Sequence, residues 1–590
     1  MRRPLGSSLP SLPSLPAALA ALALASLVPW RTAHAQEPIV RANLTWQGRE
    51  SQSSGASVSR LGAISDDGRW VVFASLASDL VPGDLRGEVD VFLRDLVGGT
   101  TTRLSVAPGG VEADSDSGIY QPVITGDGRF VAFESFASNL VADDTNGSAD
   151  IFVLDRDPGD DGVFDEEPIV LERVSVSSNG SEANGPSEQP SISADGNKVA
   201  FRSWATNLIA VDLNGAYDVF VRTRSSGTTI RASRSNSDIG GDGDSVEPQI
   251  CADGSAVVFR SLATNFGSSG PPMWQIWVRD LVANRLELAS SDANGARLSD
   301  PSESGAISGD GRRVVFVSSA KGLVPEENPG GTTPDVFVKD RVTGAVDCMS
   351  TGPDGLAGHS SNRSVISVDG GSVSFSSRYG SFVAGDTNDA HDIFVRDVAT
   401  KAIRCVNIDC SGAPPASGAG TNYDSALSAD GRYALFSAAG TEYVPDDTNI
   451  YNDLFVHDLA NPGFQAAWSN YGAGWPGTRG VPTFTLDVDP EFGATATATA
   501  SNSLGFWTAG FLALGFARAD WPTNRGGAIA VDFVSLTAVV VPPSGYVLCA
   551  EIPYDPSLCG VEVDLQLIEF DPGASHSLSF TPGLAIFFGR

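Results

Sequence analysis

One arrangement of oxygen-bearing side chains recurs along the chain, Asp-x-Asn-x-x-x-Asp. It stands at Asp144, Asn146 and Asp150, at Asp212, Asn214 and Asp218, at Asp386, Asn388 and Asp392, and at Asp447, Asn449 and Asp453. Hard cations such as calcium take several oxygens from one tight loop, so these residues are candidate metal ligands and calcium is the one cofactor they imply. Asp and Asn also cap turns by bonding nearby backbone amides, and the pattern leaves both roles open. The spacing is not that of an EF-hand. A second acidic loop, DRDPGDDGVFDEE at 155–167, sets Asp157, Asp161 and Asp165 around Gly162 in an approximate calcium-loop order, with Gly159 where a ligand would stand.

Catalytic patterns are scarce. Beyond residue 35 the histidines are His359, His391, His457 and His576, with no spacing for a triad or a metal cluster. Neither GxSxG nor HExxH occurs, which removes the usual starting points for serine-hydrolase and zinc-protease chemistry. On this reading the protein is not an enzyme and has no catalytic residues. The alternatives are a secreted polysaccharide-active hydrolase or lyase, and a passive surface-layer component.

Charge and ends bound the partners. The formal net charge is −33, which repels nucleic acid and anionic membrane and suits cations or basic surfaces. Arg2 and Arg3 precede an apolar stretch, Ala17 to Val28, that is too short to span a bilayer, where about twenty residues are needed. Ala33-His34-Ala35 then offers a signal-peptidase site. Residues 1–35 are therefore expected to be a signal peptide, giving an exported chain that is periplasmic, on the cell surface or extracellular. No later segment is long and apolar enough to span. Of six cysteines, Cys405 with Cys410 and Cys549 with Cys559 are expected to pair locally, and Cys251 and Cys348 to be buried thiols.

What must position the acidic loops is a repeat. ISDDGRWVVFAS at 64–75 returns as ITGDGRFVAFES, ISADGNKVAFRS, ICADGSAVVFRS, ISGDGRRVVFVS, ISVDGGSVSFSS and LSADGRYALFSA. Each is followed by a phrase such as DVFLRD (90–95) or DIFVLD (150–155), and several by an Arg-Val-Ser phrase such as LERVSV (171–176). Four strand signals per repeat, alternating at period two, give a small sheet that cannot bury both faces alone. Radial packing of such sheets solves this and makes a β-propeller. The last repeat lacks its fourth strand, and IVRANLTW at 39–46 is expected to supply it. The fold class read here is all-β: a seven-bladed β-propeller of four-stranded blades over 36–461, closed by an N-terminal strand, followed by a small β-sandwich over 462–590.

The phrases S-x-D-G-R-x-V-x-F and D-[IV]-F-V-x-D resemble the TolB-type propeller repeat, a WD40-like unit of exported bacterial proteins, over residues 40 to 460. The resemblance implies a scaffold for protein interaction without catalysis. TolB itself carries six repeats behind an α/β domain, and this chain departs from it in both respects. The last 130 or so residues resemble, through SLSFTPGLAIFFG, a module that closes many large secreted bacterial proteins.

In a propeller, the loops joining strands two and three share a face with the blade-to-blade connections. Here both are Gly/Ser/Asp-rich (VEADSDSG, SEANGPSE, SDIGGDGDS). That acidic face is the candidate surface for a protein or glycan partner. The functional expectation is an exported, non-catalytic propeller scaffold at the cell envelope or outside the cell, stiffened by calcium.

Overall fold

The computed structural model describes residues 39–587 except 53–57, 166–169, 268–269, 326–332, 358–360, 384–385, 410–413, 416–424, 441–442, 445–446, 450, 461–466, 491–493, 524–527 and 553–561. Residues 1–35, expected to be a signal peptide, and Cys410 and Cys559 thus lie outside the described residues. Cys251 and Cys348 are buried free thiols. The chain divides into two compact units, one spanning Pro38–Pro462 and the other containing Gly463–Arg590.

The first unit is a β-propeller. Among the described residues it holds seven four-stranded antiparallel sheets. Sheet one is Val58–Ile64, Trp70–Ser75, Asp90–Asp95 and Thr100–Arg103, with strands in sequence order. The other sheets repeat this plan, and sheet seven takes its fourth strand from the N-terminus. Ile39–Arg41 pairs with Asp453–Asp458, setting Val40 against Val456. The first strands of successive sheets lie side by side, and that of sheet seven returns to sheet one. These strands form the innermost layer of a closed ring.

The repeated phrases explain the packing. In six sheets the Phe of the strand-two xVxFxS phrase packs ring to ring on the Phe of strand three, as Phe73 does on Phe92 and Phe201 on Phe220. In sheet four Trp277 takes the strand-three place opposite Phe259. Phe73, Phe92, Phe201 and Phe220 are fully buried. The Asp-Gly turn carries Gly at positive φ (Gly68 at 72°), which only glycine adopts at no steric cost. Glycine is needed twice over, because a Cβ there would strike the sheet before it: Gly196 faces Phe130 and Gly128 faces Trp70. Gly68 of sheet one faces Tyr433 of sheet seven, so the same contact closes the ring. The Arg after the turn reaches the Asp that ends strand three, Arg69 to Asp95 at 2.7 Å and Arg432 to Asp458 at 2.7 Å.

The innermost strands are bulged. Register slips one step beyond Glu188, Val246, Glu303 and Asn362. Gln189, Glu247, Ser304 and Arg363 follow with φ between 44° and 56°, a region costly for non-glycine residues. Side chains from one sheet then satisfy the next across the inner edge. Gln189 Oε1 accepts from Glu247 N (3.0 Å), and Gln249 Oε1 accepts from Ile307 N (2.8 Å).

The C-terminal unit is a two-layer β-sandwich. The larger sheet runs Ala467–Tyr471, Gly583–Phe587, Glu562–Phe570, Thr508–Pro522 and Ala528–Val541, with Leu578–Phe580 also on Glu562–Phe570. The smaller holds Phe484–Leu486, Thr495–Ala500 and Tyr546–Glu551. Phe484, Leu486 and Ala498 from one layer meet Leu512, Leu565, Leu567 and Leu584 from the other.

Candidate functional site

The Asp-x-Asn-x-x-x-Asp loops end at strand three, and each last Asp is buried at the head of that strand. Asn146 caps its own turn: Oδ1 accepts from Ser148 N (2.6 Å), and the amide donates to Asp150 (2.9 Å) and to Ala183 O (3.0 Å). Asn214 and Asn388 make the equivalent bonds to Asp218 and Asp392. Asn449 instead donates to Glu50 Oε1 at 2.8 Å. The asparagines thus serve as turn caps.

In four sheets the positive charge facing the two aspartates is an arginine from strand four. Arg173 Nη1 lies 3.5 Å from Asp150, 3.9 Å from Asp144 and 2.7 Å from Glu182. Arg231 Nη1 lies 3.3 Å from Asp212 and 3.1 Å from Asp218. Arg41 reaches Glu50, Asp447 and Asp453, and Arg103 reaches Asp84, Asp90 and Glu112. The third carboxylate (Glu50, Glu112, Glu182) comes from the connection between sheets. In sheet six Cys405 stands where the arginine would be, since it pairs with Phe394 as Arg103 pairs with Phe92. Asp386 Oδ1 there is a buried oxygen with no hydrogen-bond partner. Burial, and then Asp386, push Asp392 up to about 6 against the Asn407 and Asn388 bonds. Burial and neighbouring carboxylates likewise hold Asp84 near 6 and Asp447 near 7 despite their arginines.

The other three candidate ligands do not converge. Asp157 accepts from Asp161 N and Gly162 N, Asp161 accepts from Val163 N, and Asp165 pairs with Arg156. The sequence reading missed the arginines and the glutamates of the connections. Their signal was present: Arg41, Arg103 and Arg173 each stand at the same distance before Glu50, Glu112 and Glu182 in the sequence.

A second, chemically mixed group lies where the first two strands of a sheet meet the loop face. Glu134, Arg202 and Arg260 occupy the same strand-two position in sheets two, three and four. Arg202 donates from Nε (3.0 Å) and Nη2 (2.7 Å) to Glu188 Oε2, and from Nη2 to the Tyr120 hydroxyl (2.8 Å). Its guanidinium also lies over the rings of Tyr120 (4.8 Å) and Tyr217 (4.7 Å), an attraction of the cation–π kind. Trp204 packs edge-on to Tyr217 at 5.1 Å and keeps 45% of its surface exposed. Arg260 repeats the theme over Trp274 (4.3 Å), with Glu247 and Glu303 each at 3.5 Å. Phe136 and Leu76, one and two sheets back from Trp204 at the same position, are also partly exposed.

Glu134 is fully buried beside this group. Oε1 accepts from Tyr120 N, and Oε2 has no hydrogen-bond partner. Burial pushes its carboxyl up to about 8, with Glu188 adding to the rise and Arg202 opposing it. Sheets two to four thus carry, at one rim of the ring, aromatic surface, an arginine–glutamate pair and a protonated acid. The equivalent strand-two positions of sheets one, five, six and seven hold Ala74, Val317, Ser376 and Ser437.

Neither a protein-family profile nor a curated protein sequence matches this chain. Among solved structures it is similar to a protein assigned as TolB from Agrobacterium tumefaciens, at 16% identity, 49% of this chain, 79% of that chain and TM-score 0.29. It is also similar to a prolyl endopeptidase (12% identity, 76% of this chain, TM-score 0.36), of whose length it spans 48%. A third is the α-L-arabinofuranosidase Arb93A of Fusarium graminearum (12% identity, 72% and 99% coverage, TM-score 0.30). This chain is a β-propeller protein. The sequence reading that it is not an enzyme is corrected, because similar propellers include hydrolases and a sparse set of catalytic motifs does not exclude activity on such a scaffold.

Proposed function

We propose that this protein is an exported propeller that binds an oligosaccharide at the loop-face rim of sheets two to four. The observation that supports it is Arg202, held between Tyr120 and Tyr217 and bonded to Glu188 beside a half-exposed Trp204. An exposed indole offers a flat apolar platform. An arginine–carboxylate pair offers planar donors and acceptors matched to neighbouring hydroxyls. Arg202 and Glu188 cancel in charge and Glu134 is protonated at neutral pH, which favours a neutral polyhydroxylated ligand. Export rests on Arg2, Arg3 and the Ala33-His34-Ala35 site; among the described residues no helix is long and apolar enough to cross a membrane.

The test is calorimetry and tryptophan fluorescence of the mature chain against a panel of neutral oligosaccharides. Binding weakened about tenfold or more by Trp204→Ala, an effect of roughly 1.4 kcal/mol, supports the reading. Lack of binding across the panel, or binding indifferent to Trp204→Ala, overturns it. A second reading, hydrolysis of the bound sugar, is favoured by Glu134, a carboxylic acid with its pKa raised to about 8 beside Glu188. Two carboxyl groups with unlike environments are the usual acid and base of glycoside cleavage. New reducing ends from the same panel, lost in Glu188→Gln, would establish it.

A further inference from the structure

Among the described residues, the last strand of the larger C-terminal sheet is open along its outer side. Ala528–Val541 pairs inward with Thr508–Pro522, and among the described residues no strand pairs with its other edge. Its first residues are used: Ala530 N donates to Gln566 Oε1 (2.9 Å), and Val531 is fully buried. The stretch Val534–Val540 differs. Val534 is 59% and Val540 63% exposed, and Leu536 is half-exposed. Thr537 and Ala538 are exposed too. Phe511, paired with Ala538, continues the apolar surface onto the neighbouring strand.

An edge like this is normally blunted. Native sheets protect edges with lysine, proline, inward charges or a covering segment. Here the sequence AIAVDFVSLTAVVV has one charge, Asp532, and neither lysine nor proline. Its β-branched residues favour a strand, and its outward N–H and C=O groups need hydrogen-bonding partners. A lipid surface would cover the apolar side chains and leave those groups unpaired. Another strand meets both needs.

We propose that two copies of this chain pair antiparallel through Val534–Val540, joining their larger sheets across a two-fold axis. One strand meeting its own copy is self-complementary, as a two-fold interface requires. Pairing centred on Thr537 sets Val534 opposite Val540 and Leu536 opposite Ala538. The outward apolar rows of the two sheets then run on as one, and Asp532 falls outside the paired stretch, so no like charges face each other.

The experiment is sedimentation velocity of the full mature chain over a concentration series, with liposome flotation in parallel. A concentration-dependent dimer is expected. Leu536→Lys places a charge in the apolar row, and Ala538→Pro removes a ladder donor. Each should raise the dimer dissociation constant at least about tenfold with the thermal midpoint of unfolding unchanged. Because proline could disturb the sheet itself, Val540→Lys serves as the second charge variant. A wild-type chain that stays monomeric throughout overturns the proposal. So does a dimer indifferent to both lysine variants, or flotation with lipid in place of self-association.

Discussion

Removing the guanidinium of Arg103 strands three carboxylates at once. Its Nη1 lies 3.1 Å from both Asp90 Oδ2 and Glu112 Oε1, and 3.7 Å from Asp84 Oδ1. Asp84 and Asp90 are nearly fully buried. Taking one partner from a buried ion pair costs about 3–5 kcal/mol, because the other charge is left uncompensated. Unfolding entropy of roughly 2.1 cal/mol/K per residue over a unit of roughly 425 residues is about 0.9 kcal/mol/K, so Arg103→Met should lower the thermal midpoint by about 3–6 °C at pH 7.5. The loss must also depend on pH. Burial, then Asp90, already push Asp84 up to about 6 with the arginine present, and its removal pushes the carboxyl higher. A group whose folded pKa lies above its unfolded one stabilises the fold below the unfolded pKa and loses that contribution as pH rises through the folded pKa. The variant should therefore recover most of its deficit by pH 5. Calorimetric scans of both proteins at pH 7.5 and pH 5 measure this. A fall under about 1 °C, or one equal at both pH values, would refute the view that the arginine carries these acids.

The reciprocal change, Cys405→Arg, adds the missing cation beside Asp386 and Asp392 and should raise the midpoint at pH 7.5 while bringing Asp392 below its present value of about 6; carbon-13 titration of that carboxyl reads the shift directly. The intact protein carries Asp150 and Asp392 near 6, Asp447 near 7 and Glu134 near 8. By the same linkage sign its midpoint should be higher at pH 5.5 than at pH 8.5, and an equal or higher midpoint at pH 8.5 would contradict these environments. Gly196→Ala combines a φ of 67° with a Cβ 2.2 Å from the Phe130 ring, and should destabilise by about 1–3 kcal/mol by thermal scan, whereas Gly180→Ala, at positive φ with open space around it, should cost less.

Much of the architecture is legible in the sequence, because its signals are local. Asp-Gly closes a turn where φ must be positive, and an alternating strand phrase with one large aromatic per strand fixes which side is buried. Both recur at near-constant spacing, so a ring of small sheets follows without any knowledge of contacts. The missing fourth strand of the last repeat and the orphan IVRANLTW at the N-terminus even show how the ring closes, and Ile39–Arg41 does lie on Asp453–Asp458. The acidic motif was also visible, but its meaning was not. Whether Asp144 and Asp150 meet a metal, a proton or an arginine depends on what strand four and the next connection bring to the same point, and Arg173 and Glu182 are distant in sequence.

The rim of sheets two to four was invisible for the same reason. Glu134, Arg202 and Arg260 each sit inside a strand phrase whose consensus is apolar or small, and nothing local distinguishes them from ordinary solvent-facing substitutions. Curvature decides otherwise. Radial packing turns the same position of consecutive sheets toward one rim, so residues some sixty apart in sequence become neighbours. The repeat, its turns and its ring can be read along the chain, because they rest on backbone preference and hydrophobic period. Which charges share a site is settled by folding, because Coulomb partners are chosen by distance in space and by burial, and neither is written in any one repeat.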